Sequence, residues 1–138
     1  MAATSTAPTQ TVTPTVSLSQ IGQISIIVKD VARATAFYRD VLGMRFLFEY
    51  PGLAFFDCSG VRIMLSKAEK PEFDHPSSIL YFRVPDIQAA YKGFRARDVR
   101  FEDEPHIIAR MPDHDLWMCF FRDQEDNILG LMAEVGKA

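Results

Sequence analysis

This chain has little of most things that announce a chemistry. No apolar run approaches the ~18–20 residues a membrane-spanning helix needs, so an integral membrane protein is not expected. There are two cysteines in 138 residues, Cys58 and Cys119, each inside an apolar run. Two such thiols make no disulfide framework and suit a reducing cytoplasm. A C-x-x-C pair or a Cys/His cluster is absent, which excludes a structural zinc site. Basic charge is not in excess either: Lys and Arg number 15 against 18 Asp and Glu, for a net charge of −3. A protein that grips phosphates clusters positive charge, so nucleic acid is not an expected partner. No G-x-S-x-G, P-loop, G-x-G-x-x-G or H-E-x-x-H occurs, so hydrolase, nucleotide-binding and zincin readings have no motif to stand on. What is present, 48% apolar and 24% charged residues, is the composition of one soluble domain, or of two half-size units sharing one core.

Residues 1–19 differ in kind from the rest. They are rich in Thr, Ser, Pro and Ala and carry no charged side chain. Without a basic start and a continuous apolar core, they do not read as a secretion signal. They read as a disordered tail, or as an extended arm for a partner subunit with Val12, Val16 and Leu18 as its apolar points.

From Ile21 onward the pattern is dense. Ile21–Val28 is a strand, Asp30 a helix N-cap, and Val31, Ala34, Tyr38, Val41 and Leu42 recur at helical spacing until Gly43. Three short strands follow, Met44–Tyr50, Leu53–Cys58 and Val61–Ser66, separated by Pro51-Gly52 and Ser59-Gly60. The order then repeats. Ser78–Val84 is a strand, Asp86 an N-cap, and Ile87, Ala90, Tyr91 and Phe94 form a second stripe. Val99–Glu102, His106–Arg110, Leu116–Arg122 and Ile128–Glu134 complete the strands. Sliding the chain by 56 residues lays Val28 on Val84, Asp30 on Asp86, Val31 on Ile87 and Ala34 on Ala90. A fixed internal period is strong architectural information. The fold class is α+β: a first β-α-β-β-β module over 20–70, a polar linker at 71–76, and a second module over 77–138. Units this small must share one core.

The segment Ile24–Met44, with its Ala36-Phe-Tyr-Arg-Asp-Val-Leu-Gly43 string, resembles the opening of the vicinal-oxygen-chelate superfamily. That superfamily holds glyoxalase I, bleomycin-resistance proteins and extradiol dioxygenases. Phe120–Leu131 resembles its closing F-x-D-P-D-G-N segment, with Gln124 in place of Pro and Asp126 in place of Gly. The resemblance covers residues ~21–134 and implies curved mixed sheets that enclose a cavity. It also implies, in metal-dependent members, a divalent ion held by four side chains, two from each module. Carried over, the four positions fall on Gln23, Met64, Ile79 and Gly130. A thioether, an alkyl group and a bare Cα offer such an ion no oxygen or nitrogen. The usual metal site is therefore expected to be absent, and no cofactor is expected.

Other residues could carry chemistry. His75 and His106, with Glu102 or Glu104, would make a displaced acid/base or relocated metal site, histidine being suited to proton transfer near neutrality. The same residues also read as ordinary loop and strand-start residues, and His114 reads as part of a turn. Arg62 and Arg83 share strand parity with the four carried-over positions, so they would face the cavity as an anion-binding pair, or else lie on a solvated face. Aromatics on strands, among them Phe46, Phe48, Tyr50, Phe55, Tyr81 and Trp117, divide between core and pocket. The acidic residues Glu102, Asp103, Glu104, Asp113, Asp115, Asp123, Glu125 and Asp126 read as a solvated face, or as an attraction for a cationic ligand.

Together these imply a metal-free protein that binds a small organic molecule between its modules in the cytoplasm, and the resemblance implies a homodimer. The alternatives are a lyase, isomerase or dioxygenase of the same superfamily using His75, His106 and Glu104, and a non-catalytic interaction module.

Overall fold

The computed structural model describes residues 16–137, so most of the expected N-terminal arm, residues 1–15, lies outside the described residues. Residues 16–22 run as exposed coil. The first module follows as β1 (Gln23–Ile27), α1 (Val31–Ala36), β2 (Arg45–Tyr50), β3 (Leu53–Cys58) and β4 (Val61–Ser66). The second holds β5 (Leu80–Arg83), α2 (Ile87–Ala96), β6 (Arg100–Phe101), β7 (His106–Arg110), β8 (His114–Arg122) and β9 (Ile128–Gly136). Each module is a mixed sheet. The first has the order β1-β4-β3-β2, with β1 parallel to β4. The second has the order β5-β9-β8, with β5 parallel to β9 and both β6 and β7 along the outer edge of β8.

The repeat is physical as well as statistical. Asp30 accepts a hydrogen bond from the Arg33 amide at 3.0 Å, and Asp86 accepts one from the Ala89 amide at 3.0 Å. Both helices therefore begin on the same N-cap, one of the four otherwise unpaired amides being satisfied in each. Gly43, at φ +74°, supplies the left-handed residue that ends the first helical segment.

One expectation is corrected. The stripe from Val31 to Leu42 is not one regular helix: it is α-helical to Ala36 and then opens into a π turn over Phe37–Val41, where the Leu42 amide donates to the Phe37 carbonyl at 3.0 Å. The outer edge of the second sheet is made of two separate strands, β6 and β7, as the pattern implies. The Glu102 amide still donates to the Phe120 carbonyl at 2.8 Å; the chain then leaves the ladder over Asp103–Pro105, and the Asp103 carboxylate takes the Phe120 amide at 2.8 Å in place of a backbone partner. Pro105 has no amide to offer a ladder.

One face of each sheet is covered by its helix, and these covered faces merge into a single core. Ile26, Ala34, Phe56, Ile63 and Leu65 come from the first module, and Cys119, Phe121, Leu129, Leu131 and Ala133 from the second. Polar ties lock the junction. The Tyr38 hydroxyl donates to buried Asp123 at 2.8 Å. The Glu125 carboxylate takes the amides of Lys29 and Asp30 at 2.6–2.8 Å, just ahead of α1. The Arg97 guanidinium donates to the Val41 carbonyl at 2.8 Å, at the other end of that helical segment. A negative group at the helix start and a positive one at its end both match the helix dipole. The second module thus grips the first helix at both ends.

Candidate functional site

With the helix-covered faces committed to the core, the opposite, concave faces carry the candidate site. Strand alternation decides who points there. On β1 and β4 the concave residues are Gln23, Ser25 and Ile27, paired in register with Arg62, Met64 and Ser66. The Gln23 amide donates to the Met64 sulfur at 3.6 Å and accepts from Arg62 Nε at 3.0 Å. Arg62 in turn lies over the Phe55 ring, 5.5 Å from its centroid. Two of the four carried-over positions are therefore in contact, and a guanidinium completes the cluster.

The aromatics beside it depend on a feature with no sequence signature. Simple alternation puts Phe46, Phe48 and Tyr50 on one face. A β-bulge between Phe46 and Phe48 splits them: Phe46 pairs with Phe56 on the core side, while Phe48 pairs with Phe55 and Tyr50 with Leu53 on the concave side. Phe48 and Tyr50 thus form an exposed aromatic platform over buried Phe55, with the Phe48 and Phe55 centroids 4.8 Å apart. Next to it, a cleft of about 470 Å³ runs over the same face, floored by Ser25, Ile27, Met64 and Ser66 and roofed by Phe73 and His75 of the linker and by Ser77 just beyond it.

On the second sheet the concave residues include Tyr81 and Arg83 of β5 and Gly130 and Met132 of β9. Here the fourth carried-over position is filled from above. A Cβ on Gly130 would meet Tyr81 Cδ2 at 2.9 Å and Phe120 Cε1 at 3.2 Å. The Tyr81 and Phe120 rings stand edge to face, 5.6 Å apart, over the glycine. A carboxylate side chain at this position has no space without displacing both rings. Tyr81 itself is 46% exposed and Ile79 is 44% exposed.

The remaining candidates are scattered. His75 roofs the first cleft with Nδ1 3.0 Å from the Pro76 carbonyl, whereas His106 stands opposite Met118 on the second sheet with Nδ1 2.9 Å from the Glu104 carbonyl. The first stands on the linker and the second on the second module. Glu102 is held by Arg122 at 3.1 Å, and Arg83 lies 3.6 Å from Glu134, so Arg83 and Arg62 form no pair. Trp117 pairs with Ala133, alternates with buried Cys119 and packs against the core, which makes it a packing residue rather than a residue of the concave face. Among the described residues, no three His, Cys, Asp or Glu converge as a metal would require. The donor set at the four carried-over positions does not fit a divalent ion either. Both thiols are free; burial and Asp103 push Cys119 up to about 12, and burial and Asp57 raise Cys58. Protonated thiols are poor nucleophiles and poor ligands. The acidic run is no uniform solvated face, because Asp123 is fully buried.

A family model for the glyoxalase/bleomycin resistance protein/dioxygenase superfamily matches residues 20–130. The chain belongs to this superfamily. Solved structures of similar fold include a glyoxalase/bleomycin resistance protein/dioxygenase from Nocardioides, at 23% identity over 90% of this chain and 89% of that one, with a TM-score of 0.67. TnmS3, an antibiotic binding protein from Streptomyces sp. CB03234, is 20% identical over 86% and 98% of the two chains, with a TM-score of 0.68. A lactoylglutathione lyase from Agrobacterium tumefaciens is 23% identical over 85% and 95%, with a TM-score of 0.66. No curated protein matches. Likeness at these identities speaks for the fold, and the superfamily's βαβββ repeat is what the two sheets display. Among the described residues no helix is long and apolar enough to cross a membrane.

Proposed function

We propose that this chain is a member of the superfamily that binds a small organic molecule on its concave faces without a divalent metal. The observation that carries the reading is at Gly130: the position that would supply a metal ligand is a glycine roofed by Tyr81 and Phe120. The opposing positions, Gln23 and Met64, are bonded to each other. Aromatic rings, serine hydroxyls and an apolar cleft of about 470 Å³ are the lining of a pocket for a flat, partly polar molecule. The likeness to an antibiotic binding protein supports the same reading.

The assembly proposed is a homodimer. Phe48, Tyr50, Ile79 and Tyr81 are large apolar or aromatic side chains exposed on the concave faces, and a second copy laid across them would bury this surface and complete the pocket. The division into modules at 20–70 and 77–138, joined by 71–76, belongs to this proposal, as does a cytoplasmic setting suited to free thiols.

The test is a thermal-shift and calorimetric screen against flat aromatic compounds, neutral, cationic and anionic, on protein purified without chelator. Saturable stabilisation by some of them is expected from mass action, together with elemental analysis showing no stoichiometric transition metal. A flat response across the panel would sink the binding reading. Stoichiometric metal lost in His106→Ala would favour the lyase, isomerase or dioxygenase alternative instead.

A further inference from the structure

The concave face of the first sheet is not chemically neutral, and Arg62 is the reason. Its direct cross-strand neighbour on that face is Asp57, the carboxylate that would ordinarily quench it. Asp57 is otherwise engaged: Oδ1 takes the Gly60 amide at 3.1 Å in the β3–β4 turn, and Oδ2 lies 3.8 Å from Arg45. Arg62 turns the other way, toward β1. Nε is spent on the neutral Gln23 carbonyl oxygen at 3.0 Å, and the plane lies over Phe55. Among the described residues, Arg62 has no carboxylate within ion-pair distance and no bond from either Nη. The guanidinium is thus anchored at one nitrogen and stacked on one ring, with its two-pronged end uncommitted. That is the arrangement that receives two oxygens side by side.

The surroundings define the rest of the ligand. Phe48 and Tyr50 form the exposed aromatic platform, and buried Phe55 lies beneath both the guanidinium and Phe48. Two residues further along β4, Met64 floors the cleft, and Ser66 continues its floor. Arg62 to Ser66 spans four residues of strand, roughly 13 Å, which is the length of a two-ring molecule with a head group. Among the other charged groups, Arg45 and Asp57 offset each other, and Lys67 and Glu69, of opposite sign, both line the cleft beyond Ser66.

We infer that Arg62 is the specificity-determining residue of this site and that the ligand it selects is a flat aromatic carrying a carboxylate. The carboxylate takes the free Nη pair, and the ring stacks on the exposed Phe48/Tyr50 platform. This rests on the binding reading above and narrows it from a small organic molecule to an aromatic anion.

Calorimetry with two probes of nearly the same shape separates this inference from the reading beneath it. Wild-type protein should bind 2-naphthoate about tenfold more tightly than neutral 2-naphthamide, the margin of one charge-assisted bidentate contact. Arg62→Gln should bring naphthoate down to the amide's affinity and leave the amide unchanged. Arg62→Lys, which keeps the charge without the fork, should retain a reduced preference. Equal binding of the two probes by wild type, or a preference that survives Arg62→Gln, overturns the role of Arg62 while leaving the binding site standing. Failure of both probes to bind wild type overturns both. Circular dichroism on each variant confirms the fold, which the exposed position of Arg62 leaves undisturbed.

Discussion

Asp123 shows at the scale of one side chain how a charge is made a core residue. Its carboxylate is wholly buried, and it accepts from the Tyr38 hydroxyl, the Glu125 and Asn127 amides and the Asn127 side chain, all at 2.8–2.9 Å. A buried carboxylate is tolerable only when fully bonded in this way. Asp123→Ala leaves those donors without a partner, and chemical denaturation should show a loss on the order of 3 kcal/mol. Tyr38 carries the pH dependence of the pair. Burial, then the Asp123 charge, raises its phenol well above the ordinary value. The folded chain therefore keeps this proton at pH values where the unfolded chain has lost it. That stabilisation is complete below about pH 10 and is lost as pH rises further, through the folded value. Stability measured between pH 9 and 11 should fall, and Tyr38→Phe should flatten that slope while lowering stability near neutrality by about 1 kcal/mol. Asp123 was legible from sequence only as one acid among many. Its burial depends on a tyrosine 85 residues away, and nothing local announces such a partner. Gly130 was legible as a position with no side-chain donor, but the Tyr81 and Phe120 rings packed over it were not. Gly130→Ala, which must push aside Tyr81 and Phe120, should destabilise by about 1–3 kcal/mol in the same assay.

Among the elements, those specified by local rules were readable from the sequence and those specified by tertiary contacts were not. β3, β4 and β7 start and end where the turn residues and apolar runs place them, because Pro51-Gly52 and Ser59-Gly60 punctuate the strands. The two N-caps were readable for the same reason. The π turn at Phe37–Val41 and the bulge after Phe46 were not, since each adds one residue to a regular period for the sake of contacts elsewhere. The bulge matters most for the site, because it moves Phe48 and Tyr50 from the core side to the concave side. The grip on α1 is likewise a long-range device. Glu125 and Arg97 come from the second module, yet they do the work of local caps. Glu125→Ala should therefore cost about 1–2 kcal/mol, as loss of a strong cap does. Amide exchange should report it where it acts, with faster exchange at Lys29 and Asp30 and little change within β8.

At the scale of the whole molecule, the duplication explains why the site is open in one chain. Each module has one helix, enough to cover one face of one sheet. Joining the covered faces makes the common core, and the concave faces are then left with Phe48, Tyr50, Ile79 and Tyr81 in solvent. The two modules and their order were legible in the sequence, through the repeat of Asp30 at Asp86. Which faces meet was not, because strand alternation assigns residues to faces without saying what each face packs against. A surface of this kind is stable in water when something lies on it. A second copy satisfies that requirement by symmetry, each chain offering the same two faces to the other. The proposed homodimer rests on this argument. Sedimentation of the intact chain should give a dimer, and a charge placed on the second concave face, Ile79→Arg, should shift it toward monomer without altering the fold, since Ile79 lies outside the core cluster. The dimer and the pocket are coupled in this arrangement. An Ile79→Arg monomer should also bind aromatic ligands more weakly than the dimer, because half of the walls are gone. A monomeric wild type with full ligand affinity would show instead that the first sheet's cleft and its linker roof form the site alone.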